Sequence, residues 1–147
     1  MPKASVKRLI ECEKDQLIDL VLDIEKYPEF VPFCLGSQIY EKKIKDNLTL
    51  IIADLTIGKG PFKDTYKSDV KFYKDKSSII VTNIGGPLKH LKNNWYFNEL
   101  ENGTEILFDI DFEIENKFLN VLMSKSFEYG LNKIADAFQE RAKNLYK

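Results

Sequence analysis

Apolar residues recur along this chain with two different periods, and each change of period marks an element. Over 14–25, Leu17, Leu20, Val21 and Ile24 fall at i, i+3, i+4 and i+7, which puts them on one face of a helix. Over 105–114 the period is two. Ile106, Phe108, Ile110, Phe112 and Ile114 alternate with Glu105, Leu107, Asp109, Asp111 and Glu113, the pattern of an antiparallel strand with one wet side. The helical period returns at the end, where Phe127, Leu131, Ile134 and Phe138 continue at i, i+4, i+7 and i+11. That stripe predicts a helix over 117–145, about 40 Å long at its ordinary rise, with Asn116 as its N-cap.

Further strands are predicted over 5–11, 36–44, 48–57, 62–73, 78–84 and 91–100. Turn-forming clusters separate them, including Lys45-Asp46-Asn47, Asp75-Lys76-Ser77 and Glu101-Asn102-Gly103. In the strand 62–73, Phe62, Tyr66, Val70 and Phe72 share one face, and Lys63, Lys67 and Lys71 share the other. Strict alternation also puts Asp64 on the apolar face. Trp95 and Phe97 share a face two strands later.

The predicted order is strand, helix, about six antiparallel strands, long helix. A sheet with one wet face must bury the other, and only the terminal helix is long enough to cover it. The fold class expected is therefore α+β: a curved antiparallel sheet wrapped around a long C-terminal helix, the helix-grip arrangement, as one domain over 1–147. A curved sheet and a straight helix leave a gap. Here aromatic and aliphatic side chains would line it, the usual composition of a small-molecule site.

The segment from Asp23 to Cys34 links the first helix to the sheet and holds two prolines among apolar and aromatic residues. Each proline fixes its own φ and pushes its predecessor out of helical geometry. Tyr27 to Phe33 is thus expected to be a short, stiff connection. Loops are normally polar, so an apolar one needs something to cover. The mouth of the gap is the natural candidate.

Composition narrows the partners. A net charge of −1 gives no global attraction to nucleic acid or an anionic surface, and DNA is not expected as a partner. The N-terminal residues are charged and lack the apolar core of a secretory signal. No apolar run reaches the ~18 residues of a membrane span. A cytoplasmic location follows, or one peripheral to the inner membrane. Cys12 and Cys34 have neither CxxC spacing nor a cluster of histidines, so no metal site is expected.

Individual residues carry a plain and a sharp reading each. His90 is the only histidine, so any His-based catalysis must use it; its Lys-His-Leu context reads as solvated or structural. Cys34 reads as a small buried hydrophobe or a reactive thiol. Asp64 is either turned to solvent or a carboxylate inside the gap with a raised pKa or a partner. Asp109, Asp111 and Glu113 read as the wet side of their strand. Lys63, Lys67 and Lys71 form a basic line that could meet ribosomal RNA or an anionic membrane, though Asp69 and Asp75 dilute it.

Three motifs carry a family resemblance. The first is Asp23-Ile24-Glu25-Lys26-Tyr27-Pro28-Glu29-Phe30-Val31-Pro32-Phe33-Cys34. The second is Gly86-Pro87-Leu88-Lys89-His90-Leu91, followed by Trp95 to Leu100. The third is Ala137-Phe138-Gln139-Glu140-Arg141-Ala142-Lys143-Asn144-Leu145-Tyr146. Together they resemble the coenzyme Q-binding START-like proteins and their bacterial relatives, the ribosome association toxins. Leu88, Asn93-Asn94 and Glu99 depart from the family pattern, which bears on the shape of one loop.

The resemblance implies a START-like, polyketide-cyclase-like fold with a lipid-sized cavity. It implies either ubiquinone binding in support of respiratory electron transport or interference with ribosomal subunit joining. A cyclase or dehydrase label would rest on fold alone, and fold does not settle chemistry. The expectation is a non-enzyme without a cofactor. It would hold ubiquinone or a similar isoprenoid as its ligand, with a ribosomal subunit or a peripheral membrane contact as the alternative partners. The ligand-binding residues expected are Tyr27, Phe30, Val31, Phe33, Asp64, Tyr66, Trp95, Phe97, Phe112, Phe127, Leu131 and Ile134.

Overall fold

The computed structural model describes residues 3–32, 34–59, 61–85, 88–114, 117 and 127–146. Strand β1 (Lys3–Ile10) leads into helix α1 (Lys14–Leu22) and a 3-10 helix (Ile24–Glu29). Six strands follow: β2 (Cys34–Lys45), β3 (Leu48–Lys59), β4 (Phe62–Tyr73), β5 (Ser78–Gly85), β6 (Leu88–Leu100) and β7 (Gly103–Ile114). Helix α2 (Phe127–Tyr146) closes the chain. The strands form one antiparallel sheet in the order β1-β7-β6-β5-β4-β3-β2. This curved sheet with its C-terminal helix is the helix-grip architecture that the alternation of apolar residues predicts.

The register fixes which residues face α2. Val6, Phe108, Trp95, Ile79 and Phe72 form one row across β1, β7, β6, β5 and β4. Ile110, Asn93, Val81, Val70 and Ile51 form the next. Ser68 lies beside Ala53 and Asn83, and Tyr66 beside Leu55. The core gathers Ile51, Ala53, Val70, Ile79, Trp95, Phe97, Ile106 and Phe108 from the sheet and Leu131, Phe138 and Ala142 from α2. Leu17, Ile18, Leu20 and Val21 of α1 join it, as their helical spacing requires.

The helix expected over 14–25 is two elements. Its first part stops at Leu22, where Asp23 takes φ −82° and ψ 63° and its N–H bonds back to Asp19 and Leu20. A 3-10 helix then carries the chain through Pro28. Pro28 donates no hydrogen bond and restricts Tyr27, so the segment settles for shorter-range bonds. Lys26 N–H bonds to Asp23 O at 3.1 Å and Phe30 N–H to Tyr27 O at 3.1 Å. Most of the expected Tyr27–Phe33 loop is therefore ordered as a compact turn.

Strand β1 departs from a wholly apolar inner face. Leu9 points outward and is exposed, whereas Arg8 shares the inner face with Val6 and Ile10. Arg8 can lie there because its guanidinium reaches α2, donating to Asp136 at 2.6 Å, Asn132 at 3.1 Å and Gln139 at 3.2 Å. A fork of five donors suits such a multiple contact. The Asn116 N-cap and the first turns of the expected terminal helix lie outside the described residues. No helix among the described residues is long and apolar enough to cross a membrane.

Candidate functional site

The concave face of the sheet is closed at one end by aromatic rings. Phe138 of α2 meets the Trp95 ring at 5.1 Å, Phe30 at 5.1 Å and Tyr27 at 5.5 Å, all edge-on. Trp95 in turn stacks on Phe97 at 6.5 Å and tilts against Phe108 at 4.3 Å. Edge-to-face pairs of this kind add to the gain from burial. Trp95 Nε1 donates to Asn93 Oδ1 at 2.9 Å, and Asn93 Nδ2 donates to Asp109 O at 2.8 Å. The indole N–H and the amide thus have partners inside the core.

All three sequence motifs meet here. Tyr27 and Phe30 come from the first, Trp95 from the second and Phe138 from the third. Arg141, also of the third, bonds Glu29 at 3.0 Å and lies 5.0 Å over the Phe30 ring. The 3-10 helix is thereby strapped to the C-terminal helix. The guanidinium holds the Glu29 carboxyl below the usual carboxylate range.

Away from this end the concave face is less fully covered. Leu55, Ile57, Val81 and Ile110 lie on it by register yet keep part of their surface. The two inward tyrosines are the clearest case. Burial pushes the hydroxyls of both Tyr27 and Tyr66 well above the ordinary phenol range, and the two lie close enough to feel each other and Cys34. Both residues are nevertheless only partly buried. This partly covered stretch of the concave face, along β3, β4 and the 3-10 helix, is the candidate site.

Its polar groups among the described residues are few. The Tyr27 hydroxyl donates to Val21 O. Ser37 Oγ donates to Ile24 O at 2.8 Å, and Asn83 Oδ1 accepts from Leu91 N–H at 2.8 Å. Cys34 is buried, its Sγ is 3.6 Å from Gly36 O, and burial raises its thiol pKa. That is the inert, small-hydrophobe reading of this cysteine. Ser68 is fully buried, with its Oγ outside normal hydrogen-bonding geometry to any described residue. No charged side chain among the described residues is buried.

The structure brings Tyr27, Phe30, Trp95 and Phe97 together at the closed end. Tyr66 stands at the open end, near Tyr27. Leu131 is buried in the core, while Val31 and Ile134 pack against it partly covered. Asp64 pairs with Ile57 and so continues the row of Tyr66 and Ser68 along β4. Its side chain lies outside the described residues, as do those of Phe112 and Phe127 and the whole of Phe33. Sequence reasoning passed over Phe138, Ser68 and Arg141 as site residues. Ser68 was within reach, two positions from Tyr66 on the same face. Arg141 carried no signal beyond its motif.

On the outer face Lys63 and Lys67 are exposed. Lys67 Nζ sits 5.1 Å over the Tyr40 ring, and Tyr40 donates to Asp54 at 2.7 Å. Lys71 lies 4.0 Å from Asp69. The basic line is thus interleaved with acids. His90 faces Asp111 at 3.4 Å and is partly exposed.

Comparison with known proteins bears on both faces. The family described as polyketide cyclase / dehydrase and lipid transport matches residues 10–139. The chain is 31% identical to the ribosome association toxin RatA of Rickettsia prowazekii over 143 residues, covering 95% of each. It is also 31% identical to the mitochondrial coenzyme Q-binding protein COQ10 of Dictyostelium discoideum over 135 residues, covering 90% of this chain and 64% of that protein. An 18 kDa protein from Caulobacter crescentus superposes with a TM-score of 0.81 at 27% identity, covering 99% of both chains. The Zhui aromatase/cyclase from Streptomyces superposes with a TM-score of 0.78 at 12% identity, covering 99% of this chain and 96% of that one. This last likeness speaks for the fold alone.

Proposed function

The chain belongs to the polyketide cyclase / dehydrase and lipid transport family, and from that premise we propose that it holds a hydrophobic isoprenoid of the ubiquinone type between its sheet and its C-terminal helix. The observation that carries this is the concave face of the sheet, where Leu55, Val81 and Ile110 keep part of their apolar surface and Tyr66 stands beside Leu55. The likeness to a coenzyme Q-binding protein supports the choice of ligand.

The proposed act is sequestration rather than turnover. Burying the ligand's tail gains about 25 cal/mol per Å² of apolar surface, less the cost of ordering it. Tyr27, Phe30 and Val31 on the 3-10 helix and its continuation would form the entrance, with Arg141 and Glu29 holding it closed. Trp95 is the only tryptophan and sits within this region, and a bound quinone quenches indole emission. Titration with decylubiquinone should give saturable quenching of Trp95. Emission that stays constant up to the solubility limit, in protein shown to be folded, contradicts the proposal.

A second function is favoured by the toxin-named relatives, which match along nearly the whole chain. A ribosome-directed protein would use the outer face, so reversing Lys63 and Lys67 to Glu would abolish its effect on subunit joining in sucrose gradients. Filling the internal space would leave that effect intact. The opposite pattern, with the lysines silent and the internal space essential, counts against the ribosomal role.

A further inference from the structure

The face of the sheet turned away from the helices carries a row that spans every strand. Leu48, Tyr73, Ser78, Tyr96 and Leu107 pair in turn across β3, β4, β5, β6 and β7. Lys45 of β2 and Lys7 of β1 extend the row to the two edges of the sheet. The sequence neighbours Phe72, Ile79, Trp95 and Phe108 face the core, so alternation turns this row outward. It sets two tyrosines on either side of a small serine, two strand spacings or about 10 Å apart. Tyr96 is 38% exposed, Tyr73 is partly covered and Ser78 between them is buried. The lysines at both ends are exposed. Lys76 Nζ stands 5.8 Å from the centre of the Tyr73 ring, and Lys43 and Lys71 lie in the next row.

The chain's net charge is −1, yet this row holds lysines and no acid. Of the acids flanking it, Asp109 accepts from Asn94 at 2.9 Å, and Glu105 lies between Leu9 and Asn98. Aromatic faces bordered by cations suit bases and phosphates together. Every base has a π-face to stack, and lysines neutralise the backbone. A duplex keeps its bases stacked inside and offers such rings nothing. We propose that this row is a platform for single-stranded RNA. Tyr73 and Tyr96 each stack one unpaired base, and Lys7, Lys45 and Lys76 meet the flanking phosphates. This rests on the ribosome-directed function, in which the outer face works, and names the residues and the nucleic-acid form that face recognises.

The test uses the full chain and a short fluorescein-labelled oligouridylate, read by anisotropy at low salt. Unlabelled duplex RNA should compete at least about ten times less well than unlabelled oligouridylate. Tyr73→Leu and Tyr96→Leu lie outside the core and should each weaken binding at least about fivefold, the effect of one lost base stack. Lys45→Gln should flatten the slope of log affinity against log salt by about 0.7. Duplex that competes equally, or unchanged affinity in both folded tyrosine variants, overturns the platform. So does folded wild-type protein that binds phosphatidylglycerol vesicles and no RNA. Subunit joining in sucrose gradients separates the platform from the function it rests on. A wild-type effect on joining that survives both tyrosine substitutions overturns the platform and leaves the ribosomal function standing. Oligouridylate binding through both tyrosines, without any effect on joining, removes that function and upholds the platform.

Discussion

Replacing Phe138 by Ala removes the ring that joins all three sequence motifs. Phe138 is 4% exposed and touches Trp95 of β6 and both Tyr27 and Phe30 of the 3-10 helix and its end. Truncating a buried Phe costs about 3–5 kcal/mol, depending on how far the site collapses. Collapse is restricted here. Four residues on, Ala142 is fully buried, and Arg141 ties the same stretch of α2 to Glu29. The helix cannot sink into the void without breaking both. The loss is therefore expected in the upper half of that range, about 4 kcal/mol. Near the melting point this corresponds to a fall of roughly 10 °C for a chain of this size. Equilibrium urea unfolding followed by Trp95 emission and far-ultraviolet circular dichroism gives the number directly, provided the slope with denaturant is unchanged. A loss below about 1.5 kcal/mol with unaltered Trp95 emission would refute the idea that this ring holds the closed end together.

Three further outcomes are expected. Tyr27 and Tyr66 have folded pKa values raised by burial above the ordinary phenol value, so their contribution is complete below about pH 10 and is lost as pH rises toward the folded values; Tyr66→Phe should make the protein more resistant to alkaline unfolding, and an unchanged alkaline limb would contradict this. Glu29 has a depressed folded pKa because Arg141 bonds it, so its contribution is present above the ordinary Glu range and disappears in acid; Glu29→Gln should narrow the gap in melting temperature between pH 7 and pH 3, and an undiminished gap would count against the strap. Gly103 has φ +148°, and a Cβ there would stand 2.4 Å from Ile10 O; Gly103→Ala should cost about 1–3 kcal/mol, measured by the shift in urea midpoint.

Much of the fold was legible because sheet alternation is a local signal. Ile106, Phe108 and Ile110 declare their face through their own neighbours, and the stripe Leu131, Ile134, Phe138 does so on α2. What stayed hidden depends on partners distant in sequence. Arg8 breaks the apolar pattern of β1 because its partners, Asn132, Asp136 and Gln139, lie more than a hundred residues away. The 3-10 helix replaced a predicted loop because Pro28 forbids an α-helix without forbidding shorter-range bonding. Trp95 and Phe97 were assigned to a cavity wall together with Tyr66, but the register separates them. Trp95 and Phe97 pack into the closed end with Phe138, and Tyr66 stands by the open one. Ser68 looked like any strand serine until the sheet buried it beside that tyrosine.

The central claim is that the space between sheet and C-terminal helix carries an isoprenoid ligand. The most direct test is to purify the protein without detergent from the cells that make it, extract it with organic solvent and analyse the extract by mass spectrometry. A quinone or related isoprenoid at close to one molecule per chain, lost on replacing Leu55 by Trp to fill the space, is the predicted result. An extract without isoprenoid, from protein whose melting transition shows it folded, would contradict the claim and turn attention to the lysines of the outer face.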